Sequence, residues 1–178
     1  IILHVCTMAV FDDTRTPIGE STLTVTAQAP FAALHRDMSA VVPIRLFTIT
    51  ALDRAAGLSR RLYTSHPTDY PVTGTKPIGD DDWSRLVIGD KQTFVANRTA
   101  DFAPYFPDHA QINALGCQSA INIPVIDKGM AVATVNLLDV ENHFTPERVA
   151  ALKALVAART GEIVAAIDRS DIAAAEAV

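Results

Sequence analysis

Apolar residues recur along this chain with two different periods, and each change of period marks an element. Phe31, Leu34, Met38 and Val41 are spaced three or four apart. That interval collects side chains on one face of a helix, so a helix is predicted near residues 29–41. Pro30 suits its first turn, where a missing N–H costs nothing. The next stretch, VVPIRLFTITAL, alternates instead. Ile44, Leu46, Thr48 and Thr50 fall to one side, Arg45, Phe47 and Ile49 to the other. This predicts a strand buried on both faces for much of its length. DRAAG at 53–57 makes a turn, and LSRRLYTS at 58–65 is the returning strand of a hairpin. Period-two geometry puts Tyr63 and Ser65 on one face of it.

The middle of the chain is irregular. Pro67, Pro71, Gly74 and Pro77 punctuate a loop of about a dozen residues, a length associated with function. Gly79, Asp80, Asp81 and Asp82 then open a short helix, one aspartate capping it and the others favouring its positive end. Trp83, Leu86 and Val87 give it an apolar face, and Gly89 ends it. QTFVAN is a short extended run. NRTADFAPYFPDHA at 97–110 mixes prolines with aromatics and makes no regular element, and a short helix then ends at Gly116.

The last third is clearer. SAINIPVI, the turn DKG and MAVATVNLL form a hairpin, with Gly129 supplying positive φ. Asn122 and Asn136 are polar residues inside these apolar strands. Phe144, Thr145, Pro146 and Val149 fit the staple, cap, first-turn and fourth positions of a helix. Apolar positions 149, 152, 156, 163 and 167 then share one face, over about 30 Å of helix.

The order is helix, hairpin, irregular helical middle, hairpin, helix, an α+β arrangement. The simplest packing puts both terminal helices on one face of an antiparallel sheet, with the middle segment over the other face and a cavity beneath it. Residues 1–27 read as a loosely attached arm, 28–168 as the domain and 169–178 as a helical tail. Uncovered parts of the terminal helices offer a homodimer surface.

Composition narrows the function classes. The chain has 178 residues, 49% of them hydrophobic, with a formal net charge of -5. It carries enough apolar surface to fold and lacks the cationic footprint of a nucleic-acid binder. Its two cysteines do not make a disulfide scaffold. No apolar run approaches the roughly 18 residues of a membrane span. The opening IILHVCTMAVF has neither a basic flank nor a cleavage site. A cytoplasmic protein without membrane or nucleic-acid partners is expected.

At this point the sequence resembles the GAF domain family, which is related to PAS domains. LVIGDKQTFVANRTAD at 86–101 resembles the family's short helix leading into an extended run, and GCQSAINIPVIDKGMAVATVNLLDVENHFTPERVAALKALV its last hairpin and helix. Ser119 before the strand, Pro124 within it, the turn at 127–129 and the Phe144-Thr145 helix start recur together in that family. The resemblance implies a central antiparallel sheet of five or six strands, terminal helices on one face, and a ligand cavity between the other face and the middle segment. Family members bind cyclic nucleotides, tetrapyrroles, small organic acids or haem, and many serve signal sensing. The specialised variants fit poorly. HAQINALG has Asn113 near the place of the reactive cysteine in the family's methionine sulfoxide reductases. Cys117 is followed by Gln118, not by the histidine usual in bilin attachment. Asn136, Asp139 and Phe144 follow the cyclic-nucleotide pattern only loosely, and its lysine is absent. No cofactor is expected.

The expected ligand is a compact organic compound held between the sheet and residues 66–116. Thr48, Tyr63, Ser65, Ser119 and Asn122 are candidate contacts from the strands. Asn122, polar in a buried strand, needs a partner, whether ligand, backbone or water. Trp83, Phe102 and Phe106 are candidates from the middle segment, although core packing explains aromatic residues equally. Phe102 to His109 joins apolar area to Asp108 and His109, a pocket-wall composition. Cys117 is a candidate contact and, if its pKa is lowered, a nucleophile, against the reading of a small buried hydrophobe. His66, Asp108, His109 and Cys117 are the candidates should the cavity catalyse a reaction. No histidine or cysteine spacing supports a metal. Arg45, Arg60 and Arg61 offer charge for an anionic ligand, yet most are expected to face solvent. The alternatives are an enzyme using the same cavity and a dimerisation module without ligand. A middle segment lying flat, with Phe102, Tyr105 and Phe106 filling the space, would exclude a ligand.

Overall fold

The computed structural model describes residues 18–72 and 75–176, and the side chains of 28–72 and 75–170. Helix α1 (Ile18–Val41) leads into the hairpin of β1 (Leu46–Asp53) and β2 (Leu58–Thr64). The short strand β3 (Thr75–Pro77) follows. One turn of helix, α2 (Asp82–Ser84), continues as a π-helical turn, Arg85–Gly89. Then come β4 (Phe94–Ala96), the short helices α3 (Thr99–Phe102) and α4 (His109–Ala114), the hairpin of β5 (Ser119–Asp127) and β6 (Met130–Asp139), and α5 (Pro146–Glu176). The strands form one six-stranded antiparallel sheet in the order β3-β2-β1-β6-β5-β4.

Alternation along the strands separates two cores. Phe47 and Ile49 on β1, Ile121, Ile123 and Val125 on β5, and Val135 and Leu137 on β6 point to the face covered by α1 and α5. Phe31, Leu34 and Met38 of α1, Val42 just after it, and Leu152, Val156, Ile163 and Ile167 of α5 fill the space above them. Burial of these side chains is the main force holding the helices to the sheet. The α1 stripe ends on Val42, because Val41 is 53% exposed. On the opposite face Leu46, Ala120 and Leu138 meet Val87, Phe94, Phe102, Ile112 and Cys117 of the middle segment.

The helix ends follow their local chemistry. Thr145 caps α5, its Oγ1 accepting from the Arg148 N–H at 3.4 Å and its carbonyl from the Val149 N–H at 2.9 Å. Asp81 caps α2, its carboxylate accepting from the Ser84 N–H at 2.7 Å. Gly116 and Gly129 stand at φ +79° and +78°, where an L side chain would be strained.

Besides the one-turn helix α3, which lies within the 97–110 stretch expected to form no regular element, two features depart from the sequence pattern. Helix α1 starts at Ile18, so Pro30 lies inside it and residues 18–27 continue the helix. Thr22, Thr24, Val25 and Thr26 are weak helix formers, and local composition therefore gave no sign of this turn-rich-looking stretch being helical. The remainder of the predicted arm, residues 1–17 with Cys6, lies outside the described residues. Second, the loop after β2 contains β3, which pairs with β2 at the sheet edge. Its Lys76 and Pro77 mark it as a short protected edge, not a core strand.

Asn97, just after β4, ties this side of the sheet to the start of α5. Its Nδ2 donates to the Phe144 carbonyl at 3.1 Å and its Oδ1 accepts from the Phe144 N–H at 3.0 Å. Its own carbonyl accepts from the Asn142 N–H at 2.9 Å. Asn97→Ala leaves both polar groups of the Phe144 backbone without these partners. A loss of about 1–3 kcal/mol is expected, seen as a lower urea midpoint with an unchanged slope. An unaltered midpoint would contradict the latch.

Candidate functional site

The sheet face turned to the middle segment is apolar at one end and polar at its centre. Cross-strand register puts Asn122 of β5 opposite Asn136 of β6, and Asn136 opposite Thr48 of β1. The next row joins Thr134 to Thr50, and Thr50 to Arg61. Polar side chains directly opposite one another on one face can bond across the strands. Here they do so in one direction. The Trp83 indole N–H donates to Asn122 Oδ1 at 2.8 Å. Asn122 Nδ2 donates to Asn136 Oδ1 at 2.8 Å, and Asn136 Nδ2 to Thr48 Oγ1 at 3.1 Å and Thr50 Oγ1 at 3.3 Å. An indole nitrogen can only donate, so Trp83 fixes the orientation of the amides that follow. The hydroxyl protons of Thr48 and Thr50 find no acceptor among the described residues.

Above this floor lies a cavity of about 440 Å³, a size that suits a small organic ligand. Trp83, Ile88, Tyr105, Phe106 and Ile112 form its inner wall, and the exposed Lys76, Pro77, Gly79 and Pro107 frame its mouth. Arg61 and Tyr70 close one side. The Arg61 guanidinium lies 3.8 Å from the centre of the Tyr70 ring, and its Nη1 donates to the Pro71 carbonyl at 2.7 Å. Its Nε is shielded from solvent and has no partner among the described residues. The Tyr70 hydroxyl donates to Asp108, whose carboxylate also lies 3.8 Å from Lys76 Nζ. Burial first, and the Asp108 contact second, push the Tyr70 hydroxyl far above the ordinary phenol range, so it stays a donor.

Of the ligand-contact and catalytic candidates named from the sequence, Thr48, Trp83, Phe106, Asp108 and Asn122 line the cavity. The others lie elsewhere. Tyr63 faces the helices, packed on Phe31, Phe47 and His35, with its hydroxyl 3.2 Å from His35 Nδ1. Ser65 lies beside β1, its Oγ accepting from the Phe47 N–H at 2.9 Å and lying 2.9 Å from His66 Nδ1. His109 starts α4 with Nδ1 2.9 Å from the Phe106 carbonyl. Phe102 is fully buried behind Phe106. Ser119 donates to the Val140 carbonyl at 2.7 Å. Cys117 is completely buried in the apolar cluster, where burial first and Asp139 second push its thiol up to about 11. Of the three arginines that offer charge for an anionic ligand, most of them expected to face solvent, Arg61 reaches the cavity, half-buried. Asn136, Thr50 and Thr134 had one sequence signal, polar residues at alternate positions in strands buried on both faces. Tyr70 and Lys76 had none, since the loop that carries them has no period. Among the described residues no group of three metal-binding side chains comes together.

The GAF domain model matches residues 22–162, most of the chain. The chain belongs to the GAF domain family. Solved structures agree on this fold. The GAF domain/HD domain protein from Geobacter sulfurreducens superimposes with a TM-score of 0.65 at 11% identity, over 82% of this chain and 96% of that one. The GAF domain of a two-component sensor histidine kinase from Bacillus halodurans gives 0.61 at 15% identity, covering 80% and 94%. The type II free methionine-R-sulfoxide reductase from Thermoplasma acidophilum gives 0.58 at 17%, covering 79% and 96%. No curated protein matched the chain. This GAF domain therefore shares its architecture with domains of different occupation, and its own cavity residues must carry any functional distinction.

A thiol as buried and as weakly acidic as Cys117 is a poor nucleophile. With Cys6→Ser to remove the other cysteine, labelling by a disulfide reagent at pH 8 should run about a hundredfold slower than for a free thiol, and reach that rate only in denaturant. Prompt labelling of the folded protein would place Cys117 in contact with solvent.

Proposed function

We propose that this GAF domain binds a compact organic molecule between its sheet and residues 66–116, and acts as a small-molecule sensing module. One observation carries the reading: a cavity of about 440 Å³ bounded by directed hydrogen-bonding groups. Tyr105 and Phe106 stand at its wall and leave the space open, while Phe102 is packed behind them. A domain serving only to dimerise has no use for polar side chains at the centre of this sheet face, where each must be satisfied at a cost in packing. The sensor histidine kinase domain is similar in fold, and signal sensing is the use this arrangement supports here. No helix among the described residues is long and apolar enough to cross a membrane.

Native mass spectrometry of protein purified without added ligand tests the proposal. A species heavier than the bare chain by a small-molecule mass, lost on mild activation, is the expected result. Asn122→Leu should keep the fold and reduce that species at least about tenfold, because it removes both the Trp83 acceptor and the Asn136 donor. Retention of the same adduct by Asn122→Leu would remove the polar floor from the site.

A further inference from the structure

Among the described residues, one cation of the cavity has a charge that no carboxylate answers. Lys76 is 3.8 Å from Asp108, and Asp81 is engaged as the cap of α2. Arg61 has no carboxylate partner among the described residues. A half-buried guanidinium in that condition is unusual, since charge removed from water is normally paired. Its position is nonetheless fixed. Tyr70 stacks on one face, the Pro71 carbonyl holds Nη1, and Asp108 holds Tyr70 in turn. Nε is buried away from water, and among the described residues no carboxylate answers the charge that Arg61 brings to the cavity wall. A guanidinium held in place at the wall of a cavity presents its charge and N–H donors to an anionic oxygen.

The rest of the cavity agrees with an oxygen-bearing anion. Its floor offers unused hydroxyl protons of Thr48 and Thr50, so it supplies donors to a ligand. Its inner wall is aromatic, with Trp83, Tyr105 and Phe106 presenting ring surface. Its charges set the valence. Lys76 faces Asp108 and Asp81 caps α2, which leaves the single charge of Arg61 to meet an anion, so one negative charge is accommodated more readily than the two of a phosphate monoester.

We infer that the ligand of this domain is an aromatic monocarboxylate, its carboxylate held by Arg61 and its ring set against Trp83 and Phe106. This rests on the small-molecule reading above and names the ligand class for the same cavity. Arg61 is thereby a specificity-determining residue.

The chain's single tryptophan is Trp83, so its fluorescence reports on this cavity alone. Titration with 4-hydroxybenzoate and indole-3-acetate, and with the corresponding uncharged amides, separates charge from shape. The carboxylates should change the Trp83 signal saturably and bind at least about tenfold more tightly than their amides. Arg61→Gln should abolish that preference, the acids falling to the affinity of their amides. Indole probes absorb near tryptophan, so calorimetry serves as the second readout for that pair. Equal binding of acids and amides by the wild type overturns the inference and leaves the small-molecule reading intact. So does an acid preference that survives in Arg61→Gln. Failure of all four probes to bind also overturns it, and the native mass spectrum then decides separately whether the cavity holds some other molecule.

Discussion

Trp83, Asn122, Asn136 and Thr48 form one line of hydrogen bonds that crosses three central strands and rises into the middle segment. The rest of the site depends on this line. Amides at the centre of a sheet cannot be left without partners, because the desolvation cost of each is comparable to a lost hydrogen bond. Packing a Leu against them would leave that cost unpaid. The middle segment meets it by lowering Trp83 onto the end of the line. The indole takes its place over the sheet through this directed bond together with its packing against the apolar cluster and Phe106. Space is left beside it, and that space is the cavity.

The two faces of the sheet show why the same strands produce opposite outcomes. On the helix side, Phe47, Ile49, Ile121, Ile123, Val125, Val135 and Leu137 alternate as apolar residues and the helices settle as close as side-chain volume allows. On the other side, Leu46, Ala120 and Leu138 let Phe94 and Phe102 settle equally closely at one end. Toward the centre the sequence changes to Thr48, Asn136 and Asn122, and the aromatics stop at the boundary. The shift from apolar to polar along a single face divides the middle segment into a packed half and a half that roofs a hollow.

Much of this was legible in the chain. The Phe144-Thr145-Pro146 start of α5, the glycine of the last turn and the alternation of β5 each follow from local chemistry that tertiary contacts do not override. Asn122 stood out because it is polar where its neighbours are apolar. The side of β2 was not legible. A β-bulge opposite the Ile49–Thr50 step inserts Leu62, so Ile49 faces Tyr63 while Thr50 faces Arg61. Plain alternation puts 61, 63 and 65 on one face, and a single extra residue exchanges the faces beyond it. That insertion sends Tyr63 to the helices and leaves Arg61 in the cavity. No spacing in RRLYTS distinguishes the two arrangements. Tyr70 and Lys76 reach Asp108 from an aperiodic loop, a meeting of residues far apart in sequence that only the folded chain reveals.

The line of hydrogen bonds is tested most directly by its far end. Trp83 is the only tryptophan, so its indole N–H gives one resolved signal in a nitrogen-correlated NMR spectrum. Asn136 does not bond Trp83, but it accepts from the amide that does. In Asn136→Leu the Asn122 amide loses that acceptor and is free to turn. The account predicts that the Trp83 indole resonance moves and its hydrogen exchanges faster, with the backbone spectrum of the helix-covered face unchanged. An indole signal that stays in place, exchanging at the wild-type rate, would show that Trp83 is held by packing alone and that the row does not act as a unit.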